Sequence, residues 1–393
     1  MPPTRNATSL KVLLHAIFFL SGIATILIGQ ILPALQRHFT LSDLQVSTFF
    51  PAQFAGSLTG TFLTSRFARR RNYLAAAAIG GISMACGLVL INVDSFVFCL
   101  LGFLVNGLGI GMTLPSINMV ILELNTGRSA AALSFLNFFW GVGAIICKPF
   151  VDFFSTADSI GLTAYILATP LILTSSLLIF AAMSEKKAAV PAGDDDVAGP
   201  IWTMPIAWAI AMFNFIHVGF ESGMGGWLTT YTDRFEGRNV SHWVSPTLLY
   251  FLLFVIGRLA APFLFRFLNE NKMLFLGLGL VLLGMALTLA ASTEIALSLG
   301  AAVAGFGTSW IFPTNVARFS RVFGLAATRR ATPLFIAGTL GAAVSTWAIG
   351  FISDRTGSLH LGMYVLVISV LLLIVLQTGL SLRHSRPRTR SSK

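Results

Sequence analysis

Asn214, His217 and Glu221 stand at i, i+3 and i+7 within the apolar stretch 203–232. At helical spacing the three side chains share one face. A carboxylate beside an imidazole is a pair that can take up, pass on and release a proton, because imidazole titrates near neutral pH. Counted from Thr232 at 1.5 Å per residue, Glu221 lies ~16 Å into its stretch. An ion at the centre of a hydrocarbon layer costs at least ~2.5 kcal/mol, so one that is kept there points to a function. Arg258, in the stretch 244–267, lies ~21 Å from Val244 by the same count and is a counter-ion at matching depth. Two readings of the pair stand side by side: a static bridge locking two helices, and a cation-coupling pair broken and remade in a working cycle with His217 as relay.

Other residues extend the candidate site. Gly223, Gly225 and Gly226 follow Glu221; they either soften the helix beside the ionisable group or admit a closely packed neighbour. Lys148 and Asp152 are i, i+4 and can face each other. They are read as an interfacial pair or as a gate for the solute. Asn106, Asn137 and Trp140, with Gln53, Asn214 and Trp227, are candidates to line a cavity. Amide hydrogen bonds and aromatic faces there suit a polyhydroxylated solute, and amides that merely tie helices together are the competing reading. Gly107-Leu-Gly109-Ile-Gly111 is no nucleotide loop, since no strand precedes it. Cys86, Cys99 and Cys147 lie in apolar runs and carry neither metal spacing nor a disulfide framework. No metal and no organic cofactor is expected.

The elements that must position these residues are membrane helices. The 393 residues are 55% hydrophobic and only 10% charged, with Gly 36 and Phe 34 and a mean hydropathy of +0.81. Runs of about 20 apolar residues cross a ~30 Å hydrocarbon layer. Twelve are read, at 10–33, 44–66, 73–92, 95–122, 130–153, 160–183, 203–232, 244–267, 273–291, 295–317, 331–353 and 360–382. The first is too long for a signal-peptide core and lacks a small-residue cleavage site.

The net charge of +11 belongs to topology rather than to nucleic acid. With both termini on one side, Arg66, Arg69, Arg70, Arg71, Lys186, Lys187, Lys272, Arg318, Arg321 and the tail Arg383–Lys393 share that side, while Arg37, Arg234, Arg238 and Arg355 face the other. The basic-rich side is cytoplasmic by the positive-inside rule. The polar stretch around Asp194-Asp195-Asp196 cannot bury apolar area. The expected organisation is therefore an N-terminal six-helix bundle over 1–183, a cytoplasmic linker over 184–201, a C-terminal six-helix bundle over 202–382 and a basic tail over 383–393.

A repeat ties the two bundles together. Gly107, Gly109 and Pro115 recur 198 residues later as Gly305, Gly307 and Pro313, and Gly143-Ala144 recurs as Gly341-Ala342. Duplicated membrane bundles are how many secondary transporters build a central site between two halves that rock against each other.

Gly60-Thr-Phe-Leu-Thr-Ser65-Arg66-Phe-Ala68-Arg69-Arg70 resembles the loop 2–3 signature of the major facilitator superfamily, with Ser65 in place of its acid and Ala68 in place of a glycine. Asn137-Phe-Phe-Trp140-Gly141-Val-Gly143-Ala144, the stretch His217 to Tyr231, and Gly257-Arg258 are similar to the fucose permease-like branch, which includes sodium-dependent glucose transporters. The resemblance implies an all-α fold of twelve transmembrane helices in two pseudo-symmetric bundles. It also implies alternating access, a small polar solute such as a sugar, H⁺ or Na⁺ as coupling ion, and Arg66 at a gate. The branch's intramembrane acids on the first and fourth helices are missing, with Gln30 and Asn106 the nearest polar groups. An exporter or organic-anion transporter drawn on Arg258 and Lys148 is the alternative within the fold, and a non-transporting membrane sensor lies outside it. A membrane enzyme is not expected, for want of a catalytic triad or clustered interfacial ligands. The expected partners are the solute and membrane lipid. A monomer in a bacterial inner membrane, with both termini cytoplasmic, completes the reading.

Overall fold

The computed structural model describes residues 5–69, 72–124, 129–155, 160–184, 201–235, 245–323 and 331–385. The linker residues 185–200, the tail 386–393, the sequon Asn239-Val-Ser241, and Arg70, Arg71, Arg128, Arg238, Arg329 and Arg330 lie outside that set. Fourteen α-helices are described: α1 (Arg5–His38), α2 (Asp43–Ser47), α3 (Phe49–Arg69), α4 (Tyr73–Ile91), α5 (Phe96–Leu124), α6 (Ser129–Phe154), α7 (Thr163–Ser184), α8 (Pro205–Asp233), α9 (Pro246–Leu264), α10 (Glu270–Leu289), α11 (Glu294–Thr308), α12 (Ile311–Phe323), α13 (Thr332–Thr356) and α14 (Leu359–Ser385). Among the described residues, ten spans are long and apolar enough to cross a membrane, with α11 and α12 together forming one of them. The long helices outside that set are α3 and α8, whose apolar character is diluted by Gln53, Thr61 and Thr64 in one and by Asn214, His217 and Glu221 in the other. The chain is an integral, multi-pass membrane protein.

Two of the twelve runs are interrupted. The second divides into α2 and α3: a capping box of Ser42 and Gln45 starts the short helix, and Thr48 caps its end. The tenth divides into α11 and α12 at Ser309–Trp310. Pro313 sits four residues beyond Ser309 and has no N–H to offer its carbonyl. By contrast, α8 runs unbroken through Gly223, Gly225 and Gly226, which corrects the reading of a helix softened at that point.

Helices α1 and α3–α7 pack mainly among themselves, as do α8–α14, while α2 packs chiefly on α13. The repeated glycines mark matching crossings in the two groups. A Cβ on Gly107 would stand 1.9 Å from the Gln53 carbonyl oxygen of α3, and one on Gly305 would stand 2.2 Å from that of Tyr250 in α9. Gly109 meets the Gly80 carbonyl of α4 as Gly307 meets that of Gly277 in α10. Gly143 meets Phe19 of α1 as Gly341 meets Phe215 of α8. Such contacts let helix backbones approach where lipid supplies no hydrophobic drive. The repeat in the sequence is thus a repeat of backbone crossings.

The two groups meet where α1 crosses α8 and where α2 crosses α13, the closed end. At the closed end Gly29 of α1 lies on Gly225 and Gly226 of α8, and Gly350 of α13 lies on Asp43 and Ser47 of α2. The largest described buried apolar cluster draws on both groups and includes Phe49, Phe50, Trp227 and Ile349 near this end. Elsewhere the described clusters belong to one group each: Leu14, Phe18, Leu74 and Ile121 in the first, Ile201, Ile210, Phe319 and Leu334 in the second.

Candidate functional site

The stripe on α8 forms as its spacing predicts. Asn214 and His217 are buried, and the Glu221 side chain is about a quarter exposed (25%). His217 Nε2 lies 3.5 Å from Glu221 Oε2, an ion-pair distance whose geometry leaves both ring nitrogens without a hydrogen bond. Asn214 donates from Nδ2 to the Leu334 carbonyl at 2.9 Å, and its Oδ1 has no partner. The amide therefore ties α8 to α13, while the imidazole and carboxylate keep hydrogen-bonding capacity.

Arg258 is not where a Glu221 bridge would put it. Among the described residues the ion pair of Glu221 is with His217, and none within 4.0 Å joins it to Arg258. The Arg258 guanidinium instead covers the Phe254 ring at 4.1 Å and donates from Nε to the Ser309 carbonyl at 3.4 Å. That carbonyl is the one freed by Pro313. Burial against an aromatic face and a free carbonyl satisfies the cation without a carboxylate. Glu221, Arg258 and the fully buried Tyr250 still act on one another electrostatically, so the three form one charged centre shared by α8 and α9. The Tyr250 hydroxyl has no hydrogen-bond partner.

The remaining candidates separate. Asn106 donates to the Ala24 carbonyl at 3.2 Å and to Gln53 Oε1 at 3.4 Å, and Gln53 donates to the Thr25 carbonyl at 3.3 Å. Both amides are buried and tie α1, α3 and α5 together. Trp227 is fully buried and donates to the Thr346 carbonyl at 2.9 Å, so it belongs to the closed end rather than to a cavity wall. Asn137 is exposed and turns back to the Leu133 carbonyl of its own helix. Trp140 is half-buried with its Nε1 unpaired, which leaves it the aromatic candidate still able to meet a solute. Lys148 and Asp152 form their i, i+4 ion pair. Arg66 is exposed near the end of α3. Cys99 and Cys147 are buried and Cys86 is exposed, and all three are free thiols.

Several pairings escaped the sequence. Arg318, counted there among the solvated charges, is 4% exposed; it donates to Gln377 Oε1 at 2.6 Å and approaches the Phe213 ring at 5.6 Å. Its position at the end of a run allowed a solvated reading that only packing could correct. Gln30 accepts from Thr229 at 2.8 Å, and Thr229 shares a 3.0 Å hydrogen bond with Thr247. That buried chain crosses between the two groups. At the closed end Arg234 binds Asp43, which also accepts from Gln36 at 2.7 Å and from Ser353, while Arg37 pairs with Asp233 at 2.6 Å. These residues line a cavity of about 500 Å³. Burial lifts the Asp43 carboxyl, but the hydrogen bonds from Arg234, Ser353 and Gln36, together with the Arg234 charge, outweigh it and hold the group below the usual aspartate value.

Two duplicated helical bundles of this kind have known counterparts. The sequence profile of the Major Facilitator Superfamily matches residues 14–331. The chain belongs to that superfamily. It is 23% identical over 399 residues to the glucose/mannose transporter GlcP of Bacillus subtilis (strain 168), covering 95% of this chain and 94% of that protein. Among solved structures, an E. coli fucose:proton symporter, FucP, superposes with a TM-score of 0.62 at 19% identity, over 95% of this chain and 99% of that one. The nucleoside transporter NupG gives 0.73 at 15% identity, over 98% and 100%. The superfamily's fold is thus present along nearly the whole chain, and family and fold point to a transporter rather than an enzyme.

Proposed function

We infer that the chain is a secondary active transporter of a sugar or a closely related polyhydroxylated solute, driven by H⁺ or Na⁺. The observation that carries this reading is the His217–Glu221 pair. It is an ionisable couple midway along α8, with the carboxylate partly exposed and lacking the arginine bridge that would make it scaffolding. Similarity to the glucose/mannose transporter GlcP supports the solute class. In this reading Glu221 binds the coupling cation and His217 relays or stabilises it. Trp140 offers an aromatic face to the solute, and the basic-poor closed end is the external one, with both termini cytoplasmic in a bacterial inner membrane.

The test is uptake into proteoliposomes. Glucose and mannose should accumulate under an imposed inward H⁺ or Na⁺ gradient, and Glu221→Gln should abolish accumulation while keeping exchange. Full accumulation by that variant would remove Glu221 from the role. Orientation is checked separately: a cysteine at Thr40 should react with an impermeant reagent on intact cells, and one at Lys272 should not. A second reading, transport of an organic anion, draws on Arg258 having no acidic partner within 4.0 Å among the described residues. Gluconate outcompeting glucose would favour it.

A further inference from the structure

The guanidinium of Arg258 stands between two possible seats. One is occupied: the Ser309 carbonyl, 3.4 Å from Nε. The other is Glu221, which faces His217 at 3.5 Å on its own helix and acts electrostatically on Tyr250 and Arg258 of α9, with Arg258 outside ion-pair distance. The occupied seat is no ordinary carbonyl. It lies at the interruption between α11 and α12, where Pro313 supplies no N–H. A break inside a spanning helix is tolerated when side chains re-satisfy the freed backbone, and Arg258 is that side chain here. Beyond the break, α12 carries Asn315 and Arg318, which bind the Ile210 carbonyl of α8 and Gln377 of α14.

We propose that Arg258 is a positioning residue that couples the charge of Glu221 to the hinge at Ser309–Trp310. With Glu221 neutral, through a bound cation or proton, the guanidinium remains on the Ser309 carbonyl and pins the junction of α11 and α12. With Glu221 ionised, the guanidinium is drawn toward the carboxylate, the carbonyl is released and α12 is free to swing about the break. No covalent bond is made or broken. The step is a change of partner by one cation, and α12 reports it. The proposal rests on the reading of Glu221 as the cation-binding group and adds how its state reaches a second helix.

The test measures the hinge within one half, so that rocking between halves does not enter. With Cys86, Cys99 and Cys147 replaced by serine, spin labels go on cysteines at the exposed Ala317 of α12 and Leu276 of α10, and their separation is read by pulsed electron resonance. The parent protein should show two distance populations. Glu221→Gln should shift their ratio about tenfold toward the pinned one, within the usual range of coupling between sites. On an Arg258→Gln background the same substitution should shift nothing. Arg258→Lys keeps the charge without the Nε donor, serves if the glutamine variant fails to fold, and should lose the pinned population. Pro313→Ala restores the missing N–H and should give one narrow population whatever stands at 258. An equal response to Glu221→Gln with and without Arg258 would overturn the proposal, as would no response in any variant. Uptake assays on the same proteins separate the two claims: a hinge that answers to Glu221 in a protein inert to sugars overturns the solute, and transport with an unresponsive hinge overturns the coupling.

Discussion

Pro115 and Pro313 are repeat partners, and each frees a carbonyl four residues earlier, yet the two carbonyls are treated differently. In the first half the Gly111 carbonyl accepts from the hydroxyls of Thr61 and Thr64 at 3.4 Å each. Both hydroxyls also bond within their own helix, to Ser57 at 2.9 Å and Gly60 at 3.0 Å. α5 stays continuous. In the second half the Ser309 carbonyl meets the cation Arg258, and the helix is interrupted. Arg258 follows Thr61 at one residue less than the offset of the glycine repeat. Duplication therefore supplied the same backbone fault twice. Neutral hydroxyls closed it in one half, and a charge that answers to other charges occupies it in the other. The lesson is that a symmetric scaffold can hold an asymmetric site without altering its helix crossings.

That contrast can be broken in several ways, beginning with the largest effect. Glu221→Gln should lower gradient-driven uptake by about a hundredfold or more, since charge cycling is lost, whereas Asn106→Ala in the first half should leave the cycle working and cost about 1–3 kcal/mol of stability through unpaired amide partners. Uptake beside a melting temperature checks both, and equal losses of uptake would erase the asymmetry. Next come the prolines. Pro115→Ala should leave transport near the parent level, while Pro313→Ala should slow it about tenfold and raise the melting temperature, as a repaired helix gains up to ~3 kcal/mol.

A third measurement concerns the closed end. The Asp43 carboxyl is depressed in the closed arrangement, so its contribution is complete above the free value of about 3.9 and fades as pH falls through the lower bound value. Cysteine accessibility at Thr230, buried in the wall of the same cavity, should therefore be unchanged from pH 7 to about pH 5 and rise only below about pH 4, and opening near pH 6 would contradict the Arg234 pairing. The smallest effect is the Glu221–Arg258 coupling itself. Because the two do not touch while Arg258 sits on the Ser309 carbonyl, a double-mutant cycle in stability under conditions that hold that arrangement should give about 1 kcal/mol or less, rather than the ~3–5 kcal/mol of breaking a buried bridge.

Much of this molecule could be read from local pattern. Hydrophobic run length placed the spans, and the glycine-proline repeat located the crossings, because both are properties of short segments. The Asn214–His217–Glu221 face also followed from spacing alone. What could not be read depended on partners distant in the chain. Arg258 and Glu221 share a depth, but depth does not choose between a carboxylate and a carbonyl freed 51 residues away. Asn106 and Gln53 are polar in apolar surroundings whether they meet a solute or each other, and only the approach of α3 to α5 decides. Gly225 and Gly226 carry the same propensity in a kink and in a close crossing, so the presence of Gly29 opposite them was needed to tell which.

That crossing has a consequence for how substitutions at Gly29 should be interpreted. A Cβ there would sit 2.2 Å from the Gly225 carbonyl oxygen, but only while the two halves are together at that end. Tolerance of alanine at this position is then no fixed property of the site; it varies with the fraction of time the molecule spends facing each way. A library of substitutions selected under conditions that hold the protein open at this end should accept Gly29→Ala freely, and one selected for turnover should reject it. The disparity between the two selections would measure the residence of the closed form in living cells, with no label attached.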